Sequence, residues 1–232
     1  MGDYLNFLEV GTSDFNTIIE SCPDDYMGIS IEPLKFYLDD LPSKPHVKKL
    51  AVALVPEPIS HVDVYYIHPE KINTPENKIN GFMKGCNSVG KPHDFHLNYN
   101  ENSTGWVDEN TVIRNLIEEG LVSTDKVLAL TFEQVMKIYN VDYIDYIKLD
   151  TEGLDADLIQ SMLDYYEKTK LNLPKIFEFE TNKHNNKEAL NNLAERLISL
   201  NYQLQIGDSY YDTFEEFNGE FQFDCIATLI EK

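Results

Sequence analysis

The stretch Asp145-Tyr-Ile-Lys-Leu-Asp-Thr-Glu-Gly153 decides how this chain is read. The apolar run from Tyr143 to Leu149 has the composition of a buried strand. It ends in Asp150, Glu152 and Gly153 before a helix-like segment opens at Asp155. Far upstream, Leu5-Asn-Phe-Leu-Glu-Val-Gly-Thr-Ser-Asp-Phe15 repeats the arrangement, with an apolar run, an acid, a glycine and a helix-like continuation. Such a junction is how a sheet strand delivers the chain into the tight turn that holds a nucleoside-type cofactor. Ligands of open α/β sheets sit beyond the carboxyl ends of the strands, so both segments place carboxylates and flexible backbone at one crevice.

Working outward, strand and helix patterns alternate, which predicts an α/β fold with a mostly parallel sheet and helices on both faces. Leu5 to Val10, Met27 to Ile31 and Val47 to Val55 read as the first three strands, the third stopped by Pro56 and Pro58. Helices are expected after the first two, at Asn16 to Ser21 and Phe36 to Leu41. Asp145 to Leu149 is the next core strand, followed by a helix over Asp155 to Glu167 and a strand over Lys175 to Phe179. Leu190, Leu193, Leu197 and Leu200 recur at helical spacing within Lys187 to Leu200. Tyr202 to Ile206 and Phe221 to Ile230 read as antiparallel neighbours at the sheet edge, because the link between them lacks an obvious helix for a right-handed crossover. The expected sheet therefore has seven strands with an antiparallel last one. An inserted loop or cap occupies about residues 60–125: Val62 to Ile67 alternates like a strand, Val107 to Glu119 looks helical, and Pro69 to Ser103 is a long polar stretch. A stretch that long inside a compact domain is usually functional or disordered, and we take it as a substrate-facing cap.

The 232 residues fit one α/β domain, 1–232, better than two small ones. No apolar run approaches the ~18 to 20 residues needed to span a bilayer, so no membrane partner is expected. The start, Met-Gly-Asp-Tyr, lacks the basic and apolar regions of a secretory signal, and a cytoplasmic protein is expected. Net charge is -21, from 40 acidic and 19 basic residues. Binding a polynucleotide backbone needs Lys and Arg to displace counterions, so nucleic acid is excluded as the expected partner. Cys22, Cys86 and Cys225 are far apart and form no metal-type pair.

Gly11 lets the backbone turn where a Cβ would collide. A dinucleotide fingerprint requires two more glycines, where this chain has Ser13 and Phe15, so a cofactor without phosphates fits better. Glu32 ends the second strand about twenty residues beyond Gly11, where a carboxylate can accept both hydroxyls of a ribose.

Phe-Leu-Glu-Val-Gly, then Ile-Ser-Ile-Glu-Pro, then Tyr-Ile-Asp-Tyr-Ile-Lys-Leu-Asp-Thr-Glu-Gly together resemble the FkbM-type family of S-adenosylmethionine-dependent methyltransferases. The resemblance covers most of the chain outside Pro69 to Ser103, with Ser13 and Phe15 replacing small or amide-bearing residues usual in the family. It implies a Rossmann-like class I methyltransferase fold and S-adenosylmethionine as cofactor. It places Glu9, Gly11, Thr12 and Ser13 around the methionine part, Glu32 at the ribose, Ala53 near the adenine and Asp150 beside the sulfonium. It also implies a methyltransferase acting on a small-molecule or glycan hydroxyl. Asp150, Glu152 and Glu180 are then the catalytic candidates, since a base helps remove a hydroxyl proton. Asn87, Ser88, His93 and His96 of the cap are the substrate-binding candidates. Asp150, Glu180 and Asn182 offer oxygen ligands at strand ends, but such residues are common in acidic proteins and no metal is expected. The competing reading is a methyltransferase-like domain that binds without transferring methyl.

Overall fold

The computed structural model describes residues 2–13, 17–100, 112–181, 186–211 and 224–230. In chain order its elements are β1 (Asp3–Val10), α1 (Ile18–Ser21), β2 (Gly28–Ile31), α2 (Lys35–Asp40), β3 (Val47–Leu50), β4 (Ala53–Leu54) and β5 (His61–Ile67). Within the insertion follow β6 (Ser88–Val89), α3 (Asp94–Leu97), β7 (Tyr99–Asn100) and β8 (Ile113–Arg114). The chain returns through β9 (Val122–Leu130), α4 (Phe132–Ile138), β10 (Val141–Leu149), α5 (Asp155–Thr169) and β11 (Ile176–Glu180). It closes with α6 (Lys187–Ser199), β12 (Tyr202–Ile206), β13 (Ser209–Tyr211) and β14 (Asp224–Leu229).

The main sheet runs β13-β12-β14-β11-β10-β1-β2-β3. From β3 to β11 every neighbouring pair is parallel, while β14 is antiparallel to both β11 and β12. The fold is thus α/β with a mostly parallel sheet. The sheet has eight described strands, not the seven expected, because the short β13 folds back on β12 at the turn around Gly207. As expected, the last strand is reversed and pairs with β12, but it lies inside the sheet, between β11 and β12, and not at its edge.

Strand periodicity sorts the two faces. Leu8, Ile147 and Phe177 share one cross-strand row and are fully buried. They meet Phe132, Ile159, Leu193 and their neighbours from α4, α5 and α6 in one apolar cluster. Burying each such side chain contributes about 1.5 to 3 kcal/mol. The adjacent row, Glu9 with Lys148, Glu178 and Ser30, points the other way. There Glu9 meets the start of α1, and Lys49 Nζ donates to the carbonyls of Leu38 and Leu41 at the end of α2. At Gly28 the ring of Phe7 lies where a side chain would be: a Cβ would stand 2.3 Å from Phe7 Cε1.

Two sequence expectations fail in the middle of the chain. The third strand does not continue to Val55, because the chain leaves the main sheet after Leu50. Ala53–Leu54 pairs instead with Ala129 and Leu130 of β9, in a separate sheet of order β4-β9-β5-β6. The predicted helix over Val107 to Glu119 is also absent where it is described, from residue 112 onward. Ile113–Arg114 pairs with Tyr99–Asn100, and Asn115 Oδ1 accepts the amides of Ile117 and Glu118 in a turn closed at Gly120, whose φ is +71°. The polar insertion is folded around a core of its own, in which Ile67, Ile72, Ile79, Met83, Tyr99 and Leu116 are buried together.

Candidate functional site

The ends of β1, β2, β10 and β11 meet at one crevice, tied together by backbone hydrogen bonds that extend the ladder past each strand. Gly11 N donates to Ile31 O, Glu32 N to Leu50 O and Asp150 N to Val10 O, at 2.9 to 3.0 Å. Gly11 adopts φ +81°, and a Cβ there would stand 1.8 Å from the carbonyl oxygen of Asp150. The glycine is therefore demanded by the close approach of the two turns, not only by a ligand.

A narrow cleft of about 30 Å³, open at its mouth, lies over this junction. Gly11, Ser13, Glu32, Ala53, Asp150 and Glu152 form its sheet side, while Gly85, Asn87 and Ser88 of the insertion close over it. Glu32 is buried at its floor, its Oε2 accepting Thr12 N at 3.0 Å and its Oε1 accepting Leu34 N at 2.9 Å. Burial pushes its carboxyl up to about 7, against the opposing effect of those two amides.

Asp150, Glu152 and Glu180 each bring a carboxylate oxygen within 4.8 Å of the others. Burial first, then the neighbouring charges of Asp155 and Glu152, raise Asp150 to about 7. Burial, then Glu152 and Asp150, raise Glu180 to about 9. Like charges crowded out of water retain protons near neutrality. The set has the oxygen chemistry and spacing of a hard-cation site, but acidic side chains alone do not mark one. Asn182 lies outside the described residues, as do Phe15 and His184.

Asp155 holds this arrangement in place, a role that the sequence reading missed by treating it only as a helix start. It is fully buried and accepts from Thr151 N at 2.9 Å, from Glu180 N at 3.0 Å and from the Thr151 hydroxyl. One carboxylate thus ties the turn after β10 to the end of β11. The signal lay in its place in the first turn of α5, where an acid is favoured by the exposed amides.

Not all the expected site residues line the cleft. Glu9 is buried beneath the turn, where Oε1 accepts Ile18 N and Oε2 accepts the Ser30 hydroxyl at 3.2 Å. Thr12 is buried beside Glu32, and its Oγ1 is a buried hydroxyl with no hydrogen-bond partner among the described residues. His96 is fully buried in the insertion, its Nδ1 accepting His93 N at 3.3 Å, and burial followed by His93 lowers its ring to about 4. His93, by contrast, lines a second cleft together with Lys91, Asp94 and Leu154. Both clefts include Ser88, Val89 and Glu152. The Cys86 thiol is raised well above its usual range by burial and then by the nearby carboxylates, which removes it as a nucleophile.

The chain matches no family model, no curated protein and no solved structure with which it was compared. No helix of the described residues is long and apolar enough to cross a membrane.

Proposed function

We propose that this chain is an S-adenosylmethionine-dependent methyltransferase of Rossmann-like class I architecture, acting on a hydroxyl of a small molecule or glycan. The observation that carries the reading is the convergence of Gly11, Glu32 and Asp150 from three adjacent parallel strands on one cleft. By the family motifs, Gly11 would meet the methionine part of an adenosyl cofactor, Glu32 the ribose and Asp150 the sulfonium. The reversed strand β14, between β11 and β12, supports the same reading, with the likewise reversed β13 as an addition to it.

The residues present suit the group. Glu32 has lone pairs beyond those taken by Thr12 and Leu34, and these accept ribose hydroxyls. Ser13 lines the cleft, and its backbone suits the polar end of a methionine. Ala53 and Leu54 give an apolar wall for a purine. The bound cofactor supplies an electrophilic methyl group on a cationic sulfur. Asp150 lines that position, where a cationic sulfur would favour its ionised form, and Gly85, Asn87 and Ser88 lie above it. Most of the catalytic effect then comes from holding an acceptor in line with the methyl group.

The test incubates the protein with S-adenosylmethionine and a panel of sugars, polyols and phenols and measures S-adenosylhomocysteine. Acceptor-dependent product is the expected result. Cofactor binding with no transfer to any acceptor would instead favour a binding domain without activity.

A further inference from the structure

Glu152 is the side chain that the two clefts share at the ends of the sheet, and its setting is unusual. It lies in the turn after β10 with φ +53°, a left-handed conformation that costs a side-chain-bearing residue about 1 kcal/mol or more. A turn alone would be served better by glycine or asparagine. Its side chain is only 16% exposed and that of His93 only 2%, with His93 Nε2 standing 3.3 Å from Glu152 Oε2.

The ring of His93 is fixed from the insertion side. Its Nδ1 accepts Phe95 N at 3.1 Å, its plane rests on the Phe95 ring with centroids 5.2 Å apart, and its backbone amide donates to His96 Nδ1. Because Nδ1 is used as an acceptor, the neutral ring carries its proton on Nε2, the atom that faces Glu152. At 3.3 Å the Nε2 to Glu152 pair is a close contact without the alignment of a formed hydrogen bond, and with Nδ1 occupied His93 has no ring nitrogen left to take a substrate proton.

We infer that Glu152 is the proton acceptor for the methyl-receiving hydroxyl, that His93 is its positioning residue, and that the acceptor enters through the cleft between Ser88 and Leu154. This deepens the methyltransferase reading and rests on it. As the acceptor oxygen forms its bond to the methyl carbon, the electron pair of the breaking carbon–sulfur bond stays on sulfur. The hydroxyl proton passes to the Glu152 carboxylate, so that a cationic cofactor, a neutral alcohol and a carboxylate become a neutral thioether, an ether and a carboxylic acid. Asp150 and Glu180 do not line the second cleft, and both hold protons near neutrality, which leaves them poorer partners for this step. Crowded carboxylates disfavour an anionic acceptor near the reacting atom, and Ser88, Lys91 and Asp94 along the second cleft offer donors and acceptors to an uncharged polyhydroxylated one.

Two measurements test the assignment. In the cofactor-free protein, nitrogen-15 spectra of the histidine side chains should show His93 as the Nε2–H tautomer, and an Nδ1–H tautomer would overturn the positioning role. In steady-state assays, Glu152→Gln should lower kcat by about 10² to 10⁴ with the dissociation constant for S-adenosylmethionine within a few-fold of the parent. His93→Ala should lower kcat more than it changes KM, while His93→Gln, whose amide restores a donor, should recover most of the loss. Transfer by Glu152→Gln at the parental rate would overturn the base assignment while leaving the methyltransferase reading standing. A parent protein that transfers no methyl group would overturn both.

Discussion

At the scale of single residues, Glu32 shows how a group legible in the sequence does more than the sequence implied. Its position about twenty residues beyond Gly11 makes it the ribose ligand on the proposed reading. Its burial shows a second duty, because both carboxylate oxygens already hold backbone amides, those of Thr12 and Leu34. Glu32→Ala is therefore expected to weaken S-adenosylmethionine binding and also to destabilise the protein, at about 1 to 3 kcal/mol for each orphaned amide. Chemical denaturation measures the second effect, and an unchanged midpoint would show that the two amides find other partners. Glu9 is the opposite case. From sequence it belongs with the cofactor, yet its alternation along β1 turns it toward α1 and Ser30. A strand-end acid carries no mark of which face it takes until its neighbours are known. Asp155 and the His93 to Glu152 contact were not legible for a related reason, since both join segments distant in sequence.

At the scale of elements, the strands that decide the fold were legible because they are short, apolar and bounded by turn residues. β1, β2, β10, β11 and β12 all fall within a few residues of expectation. The element expectations that fail lie where tertiary pairing overrides local pattern. Val47 to Val55 reads as one continuous strand, but it serves two sheets, and nothing local marks the change of partner after Leu50. The insertion was read as a cap from its length and polarity. Its small apolar core, spread from Ile67 to Leu116, is too dispersed along the chain to show periodicity. Close packing between β1 and β2 gives a test of the sheet itself. A methyl at position 28 would collide with the Phe7 ring, so Gly28→Ala should lower stability by about 1 to 3 kcal/mol or more. Adding Phe7→Leu should recover part of that loss, because the two changes share one contact. Strict additivity of the two substitutions would show that they do not touch.

At the scale of the whole molecule, the chain carries a net charge of -21 and gathers several of its acids at one crevice. Folding raises Asp150 from 3.8 to about 7, Glu180 from 4.5 to about 9 and Glu32 from 4.5 to about 7, in each case chiefly through burial. The folded state thus binds protons more tightly than the unfolded one. The resulting stability is fully present below the unfolded values and is lost as pH rises through the folded ones. Thermal unfolding should accordingly occur at a higher temperature near pH 5 than near pH 9, with mutual repulsion of the excess negative charge acting in the same direction. A melting temperature that rises across this interval would contradict the burial assigned to these carboxyls. A cationic cofactor beside these carboxyls would favour their ionised forms, and this makes binding the most direct test of the central claim. Calorimetric titration of S-adenosylmethionine into the folded protein should show one saturable site, while NAD, whose pyrophosphate has no glycine-rich turn to receive it, shows none. Absence of saturable S-adenosylmethionine binding to protein that unfolds cooperatively would contradict the account.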